Sequence, residues 1–193
     1  MSVLTKIKSS SRAGLQAGLA LAVMFCAAGV AGKDFEPSEY QLKAAFLVNF
    51  PKYVDWPPSA FASSNSPVVI TVLGENRFGE DLNAMVNGKT ANGRPIVVRY
   101  VAREAEVGSP CHILFVTASE EKRLPAVLEK FKGTSTLTVG ENDAFLDEGG
   151  MINLARDSKK IQMEVNLAPT RNAGLKISSR LLSVAGVVKG REN

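Results

Sequence analysis

The sequence predicts an α/β domain, a three-layer α/β/α sandwich around a mostly parallel sheet, closed by a C-terminal antiparallel hairpin and a terminal helix. Three observations predict it. Val68–Leu73 and Cys111–Thr117 are continuous apolar runs of strand length, the pattern of parallel strands covered on both faces. Segments with helical patterning alternate with these runs. Ile161, Met163, Val165 and Leu167 alternate with Gln162, Glu164 and Asn166, so Met151–Leu167 reads as a hairpin around a polar turn from Arg156 to Lys160.

Taken in order, Ser38 and Gln41 form a capping box that starts a helix. Leu42, Ala45, Phe46 and Asn49 recur on one face of it, and Pro51 limits its continuation. The Pro57–Pro67 stretch is a connector rather than a domain boundary. Strand Val68–Leu73 leads to a helix near Phe78–Val86, and the turns Asn87-Gly88 and Asn92-Gly93 lead into strand Ile96–Val101. After Cys111–Thr117, Ser119 is placed to cap a helix through Phe131, with Glu120 and Glu121 at its positive end. Leu137–Val139 reads as a short strand and Asp143–Asp147 as a short helix. Beyond the hairpin, Pro169 and Gly174 bracket a short turn and Leu175–Ile177 is extended. Ser178 then caps a terminal amphipathic helix, Ser179 to Val188.

The N-terminus carries Lys6, Lys8 and Arg12, an apolar run from Leu15 to Ala28, and the small-x-small pattern Gly29-Val30-Ala31 before Gly32. This is the pattern of a secretory signal peptide, too short in its apolar part for a comfortable membrane span. Residues 1–31 are therefore expected to be removed, leaving 32–193 as a single domain. Cleavage is placed between Ala31 and Lys33. The segment holds three basic and no acidic residues, so its loss lowers the formal charge from +4 to +1. A mature chain so nearly neutral, without a basic stripe, excludes nucleic acid as a partner. Cys26 leaves with the signal, and Cys111 alone admits no disulfide within one chain. Cys111 reads as a buried cysteine at a strand start, an intermolecular disulfide or a reactive thiol being the other reading.

Three stretches carry a family resemblance: YQLKAAFLVNFPKYVDWP (Tyr40 to Pro57), GENRFGEDLNAMVNGKTANGRPIVV (Gly74 to Val98), and GGMINL, IQMEVNL and AGLKISSRLLSVA within Gly149 to Ala185. In this order and spacing, the chain resembles the YfiR-like periplasmic proteins across nearly all of Tyr40–Val188. The resemblance implies a periplasmic, non-enzymatic regulator whose partner is the periplasmic segment of an inner-membrane diguanylate cyclase, restrained so that cyclic-di-GMP output follows external conditions. A homodimer contact is expected beside the partner surface, from the apolar residues of the terminal helix. The single mature cysteine departs from relatives whose cysteine pairs staple the fold.

Catalytic motifs are sparse. His112 is the only histidine, and Cys111 beside it in a strand must face the other way, so neither a multi-histidine metal site nor a Cys-His pair follows. Gly74–Gly79 follows a strand but lacks the spacing of either phosphate-binding fingerprint. Asp143, Asp147 and Glu148 lack the alternation of a calcium loop. No catalytic residue, metal or cofactor is expected. Asn49, Asn153, Glu164 and Asn166 are the polar candidates for a structural or interaction role. Glu164 and Arg180 are a candidate ion pair. The apolar residues Leu181, Leu182, Val184 and Val188 of the terminal helix are expected either to pack on the sheet or to form a partner or dimer surface, with Arg180 and Leu182 the leading candidates. The alternative to a regulator is a periplasmic small-ligand-binding protein, with its ligand at the strand ends.

Overall fold

The computed structural model describes residues 37–158 and 160–190; the expected signal peptide lies outside the described residues. Ser38 accepts from the Gln41 backbone N–H while the Gln41 side chain accepts from the Ser38 N–H, and this capping box opens α1 (Glu39–Asn49). A 3-10 turn with Pro51 in its first turn carries the chain to β1 (Val54–Asp55). Then come β2 (Val68–Leu73), α2 (Asp81–Val86), β3 (Thr90–Ala91), β4 (Arg94–Val101), β5 (Ile113–Val116), α3 (Leu124–Phe131), β6 (Leu137–Gly140), β7 (Ile152–Asp157), β8 (Lys160–Asn166), α4 (Leu167–Asn172), β9 (Lys176–Ile177), α5 (Ser179–Leu182) and β10 (Val187–Lys189). They belong to one compact unit, Glu36–Asn193.

Eight strands form the main sheet in the order β10-β8-β7-β6-β5-β2-β4-β3, and β1 pairs separately with β9. The contiguous core strands β4, β2, β5, β6 and β7 are parallel. The β3–β4 and β7–β8 hairpins are antiparallel. Asn92 and Gly93 both take positive φ, 52° and 78°, which the two-residue β3–β4 turn requires. β2 is buried at all six positions and β5 at all four, as their uninterrupted apolar sequences require.

Side chains leave the sheet alternately. Ile70, Val72, Ile113, Phe115, Val139, Ile152, Leu154, Met163 and Val165 join Ala44 and Leu47 of α1, Leu82 of α2 and Leu181 of α5 in one core cluster. On the other side Leu73, Leu114 and Val116 meet Leu124, Val127, Leu128 and Phe131 of α3, with Phe145 and Leu146. Helices on both faces of a mostly parallel sheet make the three-layer sandwich.

Three expectations need correction. The terminal helix stops at Leu182, and Val187–Lys189 instead form β10, parallel to β8 with Val187 opposite Glu164. The β-branched pair Val187-Val188 suits a strand, and Gly186 is needed before it: a Cβ there would lie 2.4 Å from Gln162 Nε2. Ser119 does not cap a helix; Ala118–Arg123 is a 3-10 turn, and α3 begins at Leu124 with proline in its first turn. The Ser119 hydroxyl instead accepts the Glu75 backbone N–H, tying two loops together. Asp143–Asp147 is a series of turns rather than a helix. They carry Phe145, whose ring fills the space over Gly140 and Gly150.

Candidate partner-binding site

α1 is held in place from its buried side. Lys43 Nζ lies 2.6 Å from Glu141 Oε2, just past the end of β6, and contacts Glu39 one turn back on its own helix. Glu141 also accepts the Ala118 backbone N–H and the Tyr40 hydroxyl. Burial, with the Glu141 charge behind it, pushes the Tyr40 phenol up to about 12, so it stays a hydrogen-bond donor at any physiological pH. The charge and donors around Glu141 satisfy a carboxylate that would otherwise be costly to bury.

With α1 anchored this way, its outer face is left bare. Leu42, Ala45, Phe46 and Asn49, with Phe50 and Tyr53 from the following turn, line a groove of about 600 Å³ whose opposite wall is Arg180, Leu181 and Val184. The wall stands there because β1 pairs with β9 (Val54 opposite Ile177) and Tyr53 O accepts the Ser178 N–H at 2.8 Å. Ser178 then caps α5 by accepting the Leu181 N–H. The groove is apolar at its floor and basic at its rim. Arg180 supplies that charge, and no carboxylate is among the described residues that line it. Val184 is 65% exposed, the most exposed large apolar side chain among the described residues.

The residues singled out from sequence are placed as follows. Asn49 and Arg180 meet at this groove. Leu182 does not line it; that side chain packs against the α1-side core, and Val184 takes the exposed apolar position. Glu164 and Arg180 form no ion pair, because Glu164 projects from the opposite sheet face to Met163 and Val165. Glu164 instead accepts from the Asn153 amide across the β7–β8 ladder. Asn166 caps α4 by accepting the Ala168 N–H, and its amide donates to Leu146 O. Phe46 and Tyr53 were missed. Phe46 had the one signal available, an apolar residue on the helical face that also carries Asn49.

At the carboxyl ends of β2 and β5, where such sheets commonly bind ligands, a Cβ on Gly74 would lie 2.3 Å from Thr117 Oγ1 and 2.4 Å from Ser119 Oγ. Burial raises the Cys111 thiol to about 11, which leaves it protonated. Among the described residues no group of three or more His, Cys, Asp or Glu side chains is arranged to hold a metal ion, and no helix is long and apolar enough to cross a membrane.

An α/β/α sandwich that presents an open apolar groove offers a surface on which another chain can be bound. The YfiR/HmsC-like family model matches residues 40–186, and the chain belongs to that family. The family is regulatory and periplasmic as a class. No curated protein matches the sequence. Solved structures give the same fold at low identity. An ABC domain from Streptococcus pneumonia, crystallised with L-Trp, is 12% identical with a TM-score of 0.51, over 78% of this chain and 60% of that one. A conserved domain protein from Vibrio cholerae O1 biovar eltor is 12% identical with a TM-score of 0.53, over 80% and 61%. This chain thus spans about three fifths of either protein.

Proposed function

We propose that this protein is a periplasmic, non-enzymatic regulator that binds the periplasmic segment of an inner-membrane diguanylate cyclase and restrains it, lowering cyclic-di-GMP output. In this reading residues 1–31 are an export signal and 32–193 are the working domain. The observation that carries the reading is the groove between α1 and α5, joined to family membership. Its apolar floor and its Arg180 rim suit a partner segment offering a row of apolar side chains beside an acidic one.

Restraint by occupancy needs only that the groove favour the inactive arrangement of the partner. Moving that equilibrium from 1:99 to 99:1 takes about 5.5 kcal/mol of differential affinity. A few well-buried apolar anchors supply that much. The test is deletion of the gene with measurement of cyclic-di-GMP, alongside co-purification from membranes. Elevated cyclic-di-GMP and capture of a cyclase are expected; unchanged cyclic-di-GMP and no membrane partner would refute the proposal. Intact-mass analysis of the periplasmic fraction is expected to show cleavage after Ala31 or Gly32, and a full-length cytoplasmic protein would remove the basis for periplasmic action.

The alternative is a small-ligand-binding protein, favoured by the fold likeness to a domain crystallised with L-Trp. Two features weigh against it. The described residues form one lobe with no facing domain among them, and the strand ends are occupied by Thr117 and Ser119 packed on Gly74. A melting screen against amino acids and other small metabolites is expected to give no shift.

A further inference from the structure

β4 is an inner strand for only part of its length. β3 pairs with it at Arg94 and Pro95 alone, and Lys89 O accepts the Ile96 N–H just beyond. From Val97 to Val101 the strand is paired on its β2 side only. Val101 O accepts the Gly74 N–H, so the odd-numbered residues turn their backbone groups toward β2, and the Ile96 bond shows the even-numbered ones turned away. The backbone N–H and C=O of Val98 and Tyr100 therefore point off the sheet, and nothing among the described residues pairs with them. Their side chains pack on the α1-side core, where the Tyr100 hydroxyl donates to Asn83 of α2. Arg99 stands between them on the other face, exposed and in no ion pair among the described residues.

We propose that Val97–Val101 is a strand-docking edge: it takes an extended antiparallel segment of a different protein, with an acidic residue opposite Arg99 and an apolar residue on each side of it. Two residues of the added strand, opposite Val98 and Tyr100, exchange N–H···O bonds with them in both directions and satisfy every free group of the edge. The residue between those two sits in the non-hydrogen-bonded position, where side chains of paired strands come closest, and a carboxylate there neutralises Arg99. Its apolar neighbours continue the surface begun by Val98 and Tyr100.

A second copy of this chain is the obvious competitor, and Arg99 opposes it. Two β4 edges related by a twofold axis use only free groups if Val98 of each pairs with Tyr100 of the other. Sliding the register brings in Ile96, whose N–H is taken by Lys89 O, or Ala102, whose N–H is taken by the Glu106 carboxylate. The remaining register sets Arg99 directly against its own copy, like charge on like charge at the closest point of the ladder. The same side chain thus guards an open edge against self-association and selects an acidic visitor. The edge shares no residue with the groove between α1 and α5, so docking here and capture of a membrane partner there are independent events.

The probe is an acetylated, amidated peptide, Lys-Thr-Val-Glu-Val-Thr-Lys, titrated into the 15N-labelled protein purified as the cell processes it. Controls are the same peptide with lysine in place of glutamate, and the parent peptide N-methylated at both valines. The Val98 and Tyr100 amide signals are expected to lead a saturable response. Their exchange should slow about tenfold at a peptide concentration ten times Kd. The lysine peptide should bind about threefold more weakly, and the N-methylated one, unable to donate to the edge, should not bind. Arg99→Glu should reverse the order of the glutamate and lysine peptides. No response by about 5 mM peptide, a response centred away from β4, equal binding of the N-methylated peptide, or an unchanged order in Arg99→Glu would each overturn the docking edge. Val98 and Tyr100 amides protected without peptide and released on dilution would also overturn it, assigning the edge to a second copy. Should Arg99→Glu not fold, the three peptides on the parent protein decide alone.

Discussion

Lys43 Nζ and Glu141 Oε2 lie 2.6 Å apart, both side chains only 2% exposed, and this pair ties the buried side of α1 to the end of β6. Removing one partner leaves the other charged and uncompensated in the interior. Lys43→Met should cost about 3–5 kcal/mol in urea unfolding. The double variant Lys43→Met with Glu141→Gln should recover at least half of that loss, since Tyr40 and Ala118 still donate to the amide oxygen. Equal stability of the single and double variants would show that the pair does not act as a unit.

Gly140 and Gly150 make room for Phe145. A Cβ on Gly140 would lie 2.1 Å from Phe145 Cδ2, so the ring must move if a methyl group is added. Gly140→Ala should lower stability by about 1–3 kcal/mol through overpacking. Adding Phe145→Leu should return part of the loss, which distinguishes crowding from a backbone effect. Full stability of Gly140→Ala would show that the turn yields freely.

Oxidation should leave the folded monomer alone. Cys111 is mostly buried, its thiol is protonated, and its sulfur reaches the Ile113 carbonyl at 3.5 Å. Cys111→Ser should melt within about 2–4 °C of the parent, by the same margin in oxidising and reducing buffer. A deficit confined to oxidising buffer would reveal a bridge between chains.

The strands were legible in the sequence because their patterns are local. Continuous apolar runs marked β2 and β5, and period-two alternation marked β8. β10 was misread because Leu181, Leu182, Val184 and Val188 also satisfy a helical spacing after a good N-cap; only the pairing with β8, remote in sequence, decides for a strand. The site was half legible for a related reason. Asn49 and Arg180 stand out as polar residues in apolar surroundings, whereas Glu141 is an ordinary loop carboxylate until the fold carries it to Lys43, 98 positions away. Leu182 and Val184 could not be told apart from sequence, since helical spacing favours both and only packing on the core separates them.

That separation gives the sharpest test of the groove. Val184 is 65% exposed, so Val184→Asp should change stability by no more than about 0.5 kcal/mol. It nevertheless places a charge against an apolar surface that a partner must bury, and capture of the membrane partner should fall at least tenfold, about 1.4 kcal/mol. Arg180→Glu should act in the same direction by reversing the rim charge, with an effect that shrinks at high salt. Leu182→Ala should do the opposite: it loosens the core by about 1–2 kcal/mol while sparing capture at temperatures where the protein stays folded. Circular dichroism fixes the folded fraction for each variant before binding is compared. If Leu182→Ala abolishes capture while folded and Val184→Asp does not, the partner binds elsewhere on the C-terminal unit, and the groove between α1 and α5 has another role.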